Sequence, residues 1–381
     1  MAGIYIHIPF CKRKCSYCNF FSVASGKLKN AFFEVLLKEI QLHRSFLAGI
    51  TVHTIYFGGG TPSLLQPSEI QRILDELVKC FLVSGNAEIS LEANPDDLGP
   101  VNLKEFRTAG INRLSIGVQS FFDEDLAFLN RQHRASQTLI AIESALMAGF
   151  HNLSIDLIYG VPTLTDEKWG ENLDSAISLK IPHISAYALT VEPHTALEVL
   201  IRKGKAELPA EESTVRHFRL AQRKLKDAGY IHYEISNFCL DGFESRHNSN
   251  YWKGIHYLGL GPSAHSFNGT SRRWNIANLT EYIKNIGSGQ QYWEEEWLTP
   301  AQQYNEYVMT SLRTCWGCDS DRINVRFGKS HQNHFVRHVS KYLDSGMICK
   351  VDNIYSLTGE GMLFADGIAS DLFIVEPKIG S

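Results

Sequence analysis

The sequence predicts an α/β protein with a smaller helical domain after it, and three observations carry that expectation. β-Rich runs at about 4–8, 52–57, 87–92, 113–118, 152–157 and 183–190 alternate with amphipathic helical stretches. Strands that alternate with helices build a parallel sheet covered by helices, either open or curled toward a barrel. After about residue 240 the alternation fades into Asn, Gly, Ser and aromatic residues, and a helical pattern resumes at Thr299-Pro300.

Each element has a local cause. Leu114, Ile116 and Val118 recur at every second position, as do Leu153, Ile155 and Leu157, the period of a strand with two unlike faces. Phe33, Leu36, Leu37 and Ile40 share one helical face. Ile70, Ile73, Leu74 and Leu77 share another, and Pro67 suits the first turn of that helix. A long helix is expected over 211–228, stopped by Gly229, and 230–238 reads as one further strand. Thr299 is an N-cap with Pro300 at the first helical position. Phe335, Val339 and Tyr342 mark a later helix, and Val351-Asp352-Asn353-Ile354 is a hairpin turn. Helices followed by a hairpin describe a small winged-helix-like domain. The expected division is 1–235, a linking segment 236–295, and a C-terminal helical domain 296–381.

Composition excludes several classes. With 44% hydrophobic and 20% charged residues, a chain of 381 residues can bury a sizeable core, which a disordered or disulfide-dense chain cannot. The formal net charge of −4 gives no basic excess for nucleic acid. No apolar run approaches the ~18–20 residues that cross a bilayer. The apolar stretch at 4–10 carries His7 and Pro9, and Lys12, Arg13 and Lys14 follow it, unlike a secretory signal. A cytosolic protein with mostly reduced thiols is expected.

In that setting Cys11, Cys15 and Cys18 read as a metal or redox site. A structural zinc needs a fourth ligand, such as His7 or a distant cysteine, whereas three ligands leave a position open for chemistry. Spacing alone leaves zinc and iron–sulfur both standing. Cys315 and Cys318 form a second pair, with no His or Cys close by in sequence, and read as structural.

Other candidates fall where strands end. Gly58-Gly59-Gly60-Thr61-Pro62 allows positive φ and close backbone approach to a ligand. Glu92 and Gln119 close two strands, and in a β/α barrel those ends carry the ligand site. Asp156 lies in an otherwise apolar strand, so its carboxylate must find partners. Arg131 suits a ligand carboxylate. His247 precedes Tyr251 and Trp252, an imidazole beside flat apolar area.

Cys11-x3-Cys15-x2-Cys18, with Tyr17 before the last cysteine, resembles the signature of the radical S-adenosylmethionine (SAM) superfamily. The resemblance implies a partial (β/α)6 barrel, a [4Fe–4S] cluster on those three cysteines, and SAM on the fourth iron, cleaved by an electron from the cluster to a 5′-deoxyadenosyl radical. Gly59, Gly60 and Thr61 resemble the segment that holds the SAM amino group. With Tyr5, Tyr17, Glu92, Gln119, Arg131 and Asp156 they match SAM-contacting positions of one branch, the oxygen-independent coproporphyrinogen III dehydrogenases and HemW-type heme chaperones.

Within that branch, three features point to the chaperones. Phe20 stands where the dehydrogenases carry a fourth cysteine. The chain starts ten residues before Cys11, so their N-terminal extension is expected to be missing. His247-Asn248-Ser249-Asn250-Tyr251-Trp252 resembles the chaperones' HNxxYW segment, whose histidine is a proposed heme ligand. The implied cofactors are the cluster, SAM and heme. The implied partners are heme, an electron donor such as a flavodoxin or ferredoxin, and acceptor hemoproteins of the respiratory membrane. The last would bring a cytoplasmic protein to the inner membrane face. The alternative is oxidative decarboxylation of coproporphyrinogen III.

Overall fold

One residue in two along each of the first six strands is apolar and faces helices, while the residue between faces inward and is often polar. The computed structural model, which describes residues 1–47 and 49–375, shows what this pattern builds. Strands β1 (Ala2–Ile8), β2 (Val52–Gly59), β3 (Val83–Ala93), β4 (Arg113–Gln119), β5 (Leu153–Tyr159) and β6 (His183–Ala188) pair in parallel and in chain order. This is the partial (β/α)6 barrel expected. Ile4, Ile6 and Ile8 of β1, Leu114, Ile116 and Val118 of β4, and Ile155 and Leu157 of β5 are buried against the helical layer. Tyr5 and His7, Thr54 and Tyr56, Ser90 and Glu92, Ser115, Asp156 and Ser185 take the other face.

The remaining strands extend that sheet at both edges. The stretch 230–238 is a hairpin rather than one strand: β7 (Ile231–Glu234) and β8 (Asn237–Cys239) pair with each other, and β8 runs antiparallel to β6. Its turn contains Ile235-Ser236 and no glycine or proline to announce it. Residues 256–297 hold β9 (His256–Leu260), parallel to β1, then β10 (His265–Phe267), β11 (Ser271–Asn275) and β12 (Trp293–Trp297), each antiparallel to its neighbour. Helix Arg246–Trp252 lies against β1 and β2. Glu88 accepts from the backbone amides of Arg246 and His247 at its N-terminus, at 3.3 and 3.1 Å, where a carboxylate complements the helix dipole.

A second core forms beyond residue 298. Helix Pro300–Leu312 begins with Thr299, whose hydroxyl accepts from the Gln302 amide while the Gln302 side chain accepts from the Thr299 amide, at 3.2 and 2.7 Å. Val308, Leu312, Phe335, Val339 and Ile368 bury together beside β13 (Cys318–Asp319), β14 (Ile348–Val351) and β15 (Ile354–Leu357). Asp352, at φ 51°, makes the expected tight turn. The two cores meet where the Cys315 amide donates to Tyr233 O at 2.9 Å and the Ile235 amide to Arg313 O at 3.1 Å. No helix of the described residues is long and apolar enough to cross a membrane.

Candidate cofactor site and an adjoining cavity

The chain leaves β1 at Pro9 and makes a loop that its neighbours hold on three sides. Val23 donates to Pro9 O at 2.7 Å, and Cys11 donates to Val23 O at 3.1 Å. The Ser16 amide donates to Leu129 O at 3.2 Å, and Leu197 donates back to Ser16 O at 2.7 Å. Lys12 pairs with Asp96 at 3.0 Å and also with Asp97. Cys11, Cys15 and Cys18 are thereby presented, half-buried and free, on one cavity of about 520 Å³. Burial pushes the Cys18 thiol up, and Cys15 and Cys11 nearby add to the rise. Among the described residues no three His, Cys, Asp or Glu side chains converge on a single ion position. A four-iron cluster takes one thiolate per iron, so three free cysteines that line one cavity fit it.

Opposite the cysteines stand the ends of β2 to β5. Gly59, Gly60, Thr61, Glu92, Gln119, Arg131 and Asp156, with Tyr17, all line this cavity. Glu92 accepts from Tyr56 Oη at 2.8 Å and from the Gly59 amide at 3.1 Å. Burial nonetheless pushes its carboxyl up to about 7. Asp156 accepts from Ser115 Oγ at 3.3 Å, and burial pushes it up to about 6. Arg131 donates to Cys15 Sγ at 3.3 Å, to Asn94 Oδ1 at 2.6 Å and to Gly117 O at 2.8 Å, while its buried Nε has no partner. Gln119 is held at φ 67°, a left-handed conformation that costs a non-glycine residue ~1 kcal/mol and often marks a functional site. The cavity can therefore offer thiolates, a guanidinium and two carboxyls that change charge near neutrality. Phe20 lies at its rim, 64% exposed.

Two expected residues are not on that wall. Tyr5 sits behind it, its hydroxyl 3.1 Å from His7 Nδ1 and its ring stacked on Tyr56 at 6.2 Å between centroids. It thus supports the tyrosine that holds Glu92. His247 is buried inside the barrel. Its Nδ1 is 2.9 Å from Thr54 Oγ1, its Nε2 is 2.9 Å from Tyr251 Oη, and its ring stacks on Tyr56 at 5.0 Å. Burial holds this imidazole neutral, its pKa lowered to about 3. Both ring nitrogens are taken, so neither offers a free lone pair in this arrangement. Asn248, Tyr251 and Trp252 of the same helix line a second cavity of about 850 Å³, between the sheet edge and the C-terminal core. Cys315 is exposed and Cys318 buried, and both are free.

Some residues here escaped the sequence reading. Tyr56 and Asn94 hold Glu92 and Arg131, and each was findable by strand period: Tyr56 alternates with Thr54 and Gly58, and Asn94 lies two beyond Glu92. Lys12 and its partners near residue 96 carry no local signal, because the contact spans more than eighty positions.

The model of the radical SAM superfamily matches residues 5–176, and that of the HemN C-terminal domain matches residues 298–364. Heme chaperone HemW of Mycobacterium tuberculosis is 33% identical over 375 residues, 97% of this chain and 94% of that protein. Heme chaperone HemW of Bacillus subtilis is 32% identical over 372 residues, 97% and 98% of the two. Among solved structures, coproporphyrinogen III oxidase (HemN) of Escherichia coli, a radical SAM enzyme, superposes with a TM-score of 0.84 over 98% of this chain and 90% of that one, at 24% identity.

Proposed function

Because the chain belongs to the HemW-type branch of the radical SAM superfamily, we propose that it is a heme chaperone, one that binds heme and passes it to acceptor hemoproteins while carrying a [4Fe–4S] cluster and SAM. The observation that carries the reading is end-to-end similarity to heme chaperones in a chain whose strand ends gather three thiols and the SAM candidates on one cavity.

A [4Fe–4S] cluster held by Cys11, Cys15 and Cys18 would supply reducing electrons for chemistry on SAM. The chain's own residues would do the rest. Cys11, Cys15 and Cys18 would each give a thiolate to the cluster, and the Arg131 guanidinium donates to the Cys15 sulfur. Gly59, Gly60 and Thr61 offer backbone at a turn too tight for side chains, where an added Cβ on Gly60 would lie 2.7 Å from Phe10 O. Glu92 and Asp156 would lose their protons as a cationic ligand arrives, and Gln119 and Arg131 would hold its polar ends. Tyr17 and Tyr5 pack around that constellation. His247 reaches iron only if Tyr251 releases it. The donor of electrons would be a small redox protein such as a flavodoxin or ferredoxin.

The test is a paired assay on anaerobically reconstituted protein with reductant and SAM, in which hemin binding and coproporphyrinogen III turnover are measured in one preparation. Stoichiometric heme with no protoporphyrinogen supports the chaperone. Turnover at enzymatic rates replaces that reading with the dehydrogenase.

A further inference from the structure

The second cavity has a chemistry of its own. At about 850 Å³ it lies between β9–β11 and the helices Pro300–Leu312 and Ser320–Phe327, and Tyr187 lines both it and the cofactor cavity. One wall is set by strand register. Phe267 pairs with both Tyr257 and Arg272, and His265 lies two residues from Phe267, so these four side chains share a face of the sheet. The facing wall carries Tyr307, with the guanidinium carbons of Arg322 and Arg326 at 5.4 and 5.8 Å from its ring centroid.

The charges around this space are not balanced from within. Arg272 pairs with Glu306 at 2.9 Å, and Arg313 with Asp366 at 2.7 Å. Arg322 and Arg326 stand one helical turn apart, and among the described residues neither forms an ion pair. Like charges four residues apart destabilise a helix unless an anion joins them. Trp252 Nε1, Arg272 Nε and Arg313 Nε are buried donors without partners. The His265 ring lies beside Trp274, at 6.3 Å between centroids, with no hydrogen-bond partner for its nitrogens among the described residues.

A slot with aromatic walls, two unmatched guanidinium groups and a free imidazole fits a flat metal-bearing ring with two carboxylates. We infer that this cavity is the heme site, with the propionates against Arg322 and Arg326 and the iron on His265, while His247 stays behind the wall and fixes Tyr251. The inference rests on the heme reading above and adds the place, the anion anchors and the ligand.

The test is titration of the full-length chain with hemin, iron-free protoporphyrin IX and protoporphyrin dimethyl ester, followed by absorbance and fluorescence quenching. The wild type should bind the free acids roughly tenfold or more tightly than the ester, since each lost charge-assisted contact weakens binding on that scale. The double variant Arg322→Glu, Arg326→Glu, altered at exposed positions, should lose that preference and bind the ester as before. His265→Ala should keep protoporphyrin and change the hemin Soret band, and His247→Gln should leave the band in place. Hemin bound with no preference over the ester, or a Soret band moved by His247→Gln and not by His265→Ala, overturns the site while leaving the chaperone reading intact. A wild type that binds no hemin overturns both.

Discussion

Glu92 is the residue on which the cofactor cavity's response to pH turns. Burial raises its carboxyl to about 7, so between the ordinary carboxylate range and 7 the folded chain holds a proton that the unfolded chain has lost. Its effect on the empty fold is therefore favourable at low pH and disappears as pH rises through that window. A cationic ligand reverses the demand, because it needs the ionised form. SAM affinity is expected to fall as pH drops from about 7 toward 6, with proton release on binding visible by calorimetry in buffers of different ionisation heat. Glu92→Gln should move that fall to lower pH, where Asp156, raised to about 6, still titrates, and an affinity already flat in the wild type would show that Glu92 is ionised before the ligand arrives. His247 works in the opposite direction. Its pKa is lowered to about 3, so below the ordinary 6.5 the unfolded chain takes up a proton that the folded chain refuses, and stability is lost as pH falls. His247→Ala strips a buried ring from Tyr56 and leaves Thr54 and Tyr251 without a partner, which should cost about 2–4 kcal/mol in urea unfolding. A variant as stable as the wild type would mean that the ring is not packed as described. The sequence marked His247 as chemically special through its neighbours Tyr251 and Trp252. It could not show the burial, since Thr54 and Glu88, which fix the ring and the helix, lie more than 150 positions away.

At the scale of the element, the loop after β2 is the most constrained turn of the site. Gly59 has φ 108°, and a Cβ on it would lie 2.6 Å from the His7 ring. A Cβ on Gly60 would meet Phe10 O at 2.7 Å and Ile8 O at 2.8 Å, which are backbone atoms that cannot rotate away. Gly60→Ala should therefore push apart the β2 turn and the start of the cysteine loop, destabilising the chain by roughly 1–3 kcal/mol and weakening SAM binding. Gly85→Ala is the matched control in β3, where nothing lies within 4 Å of the added atom. Equal SAM affinity in the two variants would remove the turn from the site. This turn was legible because its signal is local, five consecutive residues after a strand. The six barrel strands were legible for a related reason, since each carries its own alternation. Strands β9 to β12 were not. They are three to five residues long, too short to establish a period, and β12 reads Trp293-Glu294-Glu295-Glu296-Trp297, which owes its place to pairing with β11 and not to burial. The hairpin of β7 and β8 was read as one strand because its turn lacks the residues that usually mark one.

Across the whole molecule, two cores share little. Ile235 and Met362 are the partly buried side chains packed against both. Between the cores run the two backbone hydrogen bonds that make the bridge of Glu234 with Thr314, the pair of Arg272 with Glu306, the bond from Gln222 to Gly359 O, and the exposed pair of Arg219 with Glu360. Solvent screens such a pair, so it adds little to the seam. The C-terminal core should accordingly open in a separate step of urea unfolding, ahead of the barrel. The 850 Å³ cavity lies on this seam, with its imidazole and aromatic wall on the barrel side and its unpaired arginines on the helix Ser320–Phe327. A ligand spanning it belongs to both cores at once, and a ligand that binds only the closed form stabilises that form by about 2.7 kcal/mol at a hundredfold excess over its dissociation constant. Hemin should therefore merge the two steps into one and slow amide exchange in the helices Pro300–Leu312 and Lys329–Asp344, although neither lies near the cysteines. Reversing the charge of Arg322 and Arg326 should restore two steps in the presence of hemin. Protection that grows only around the cofactor cavity would place the ligand on the barrel alone, and the C-terminal domain would then be a lid over the sheet edge with no share in holding heme.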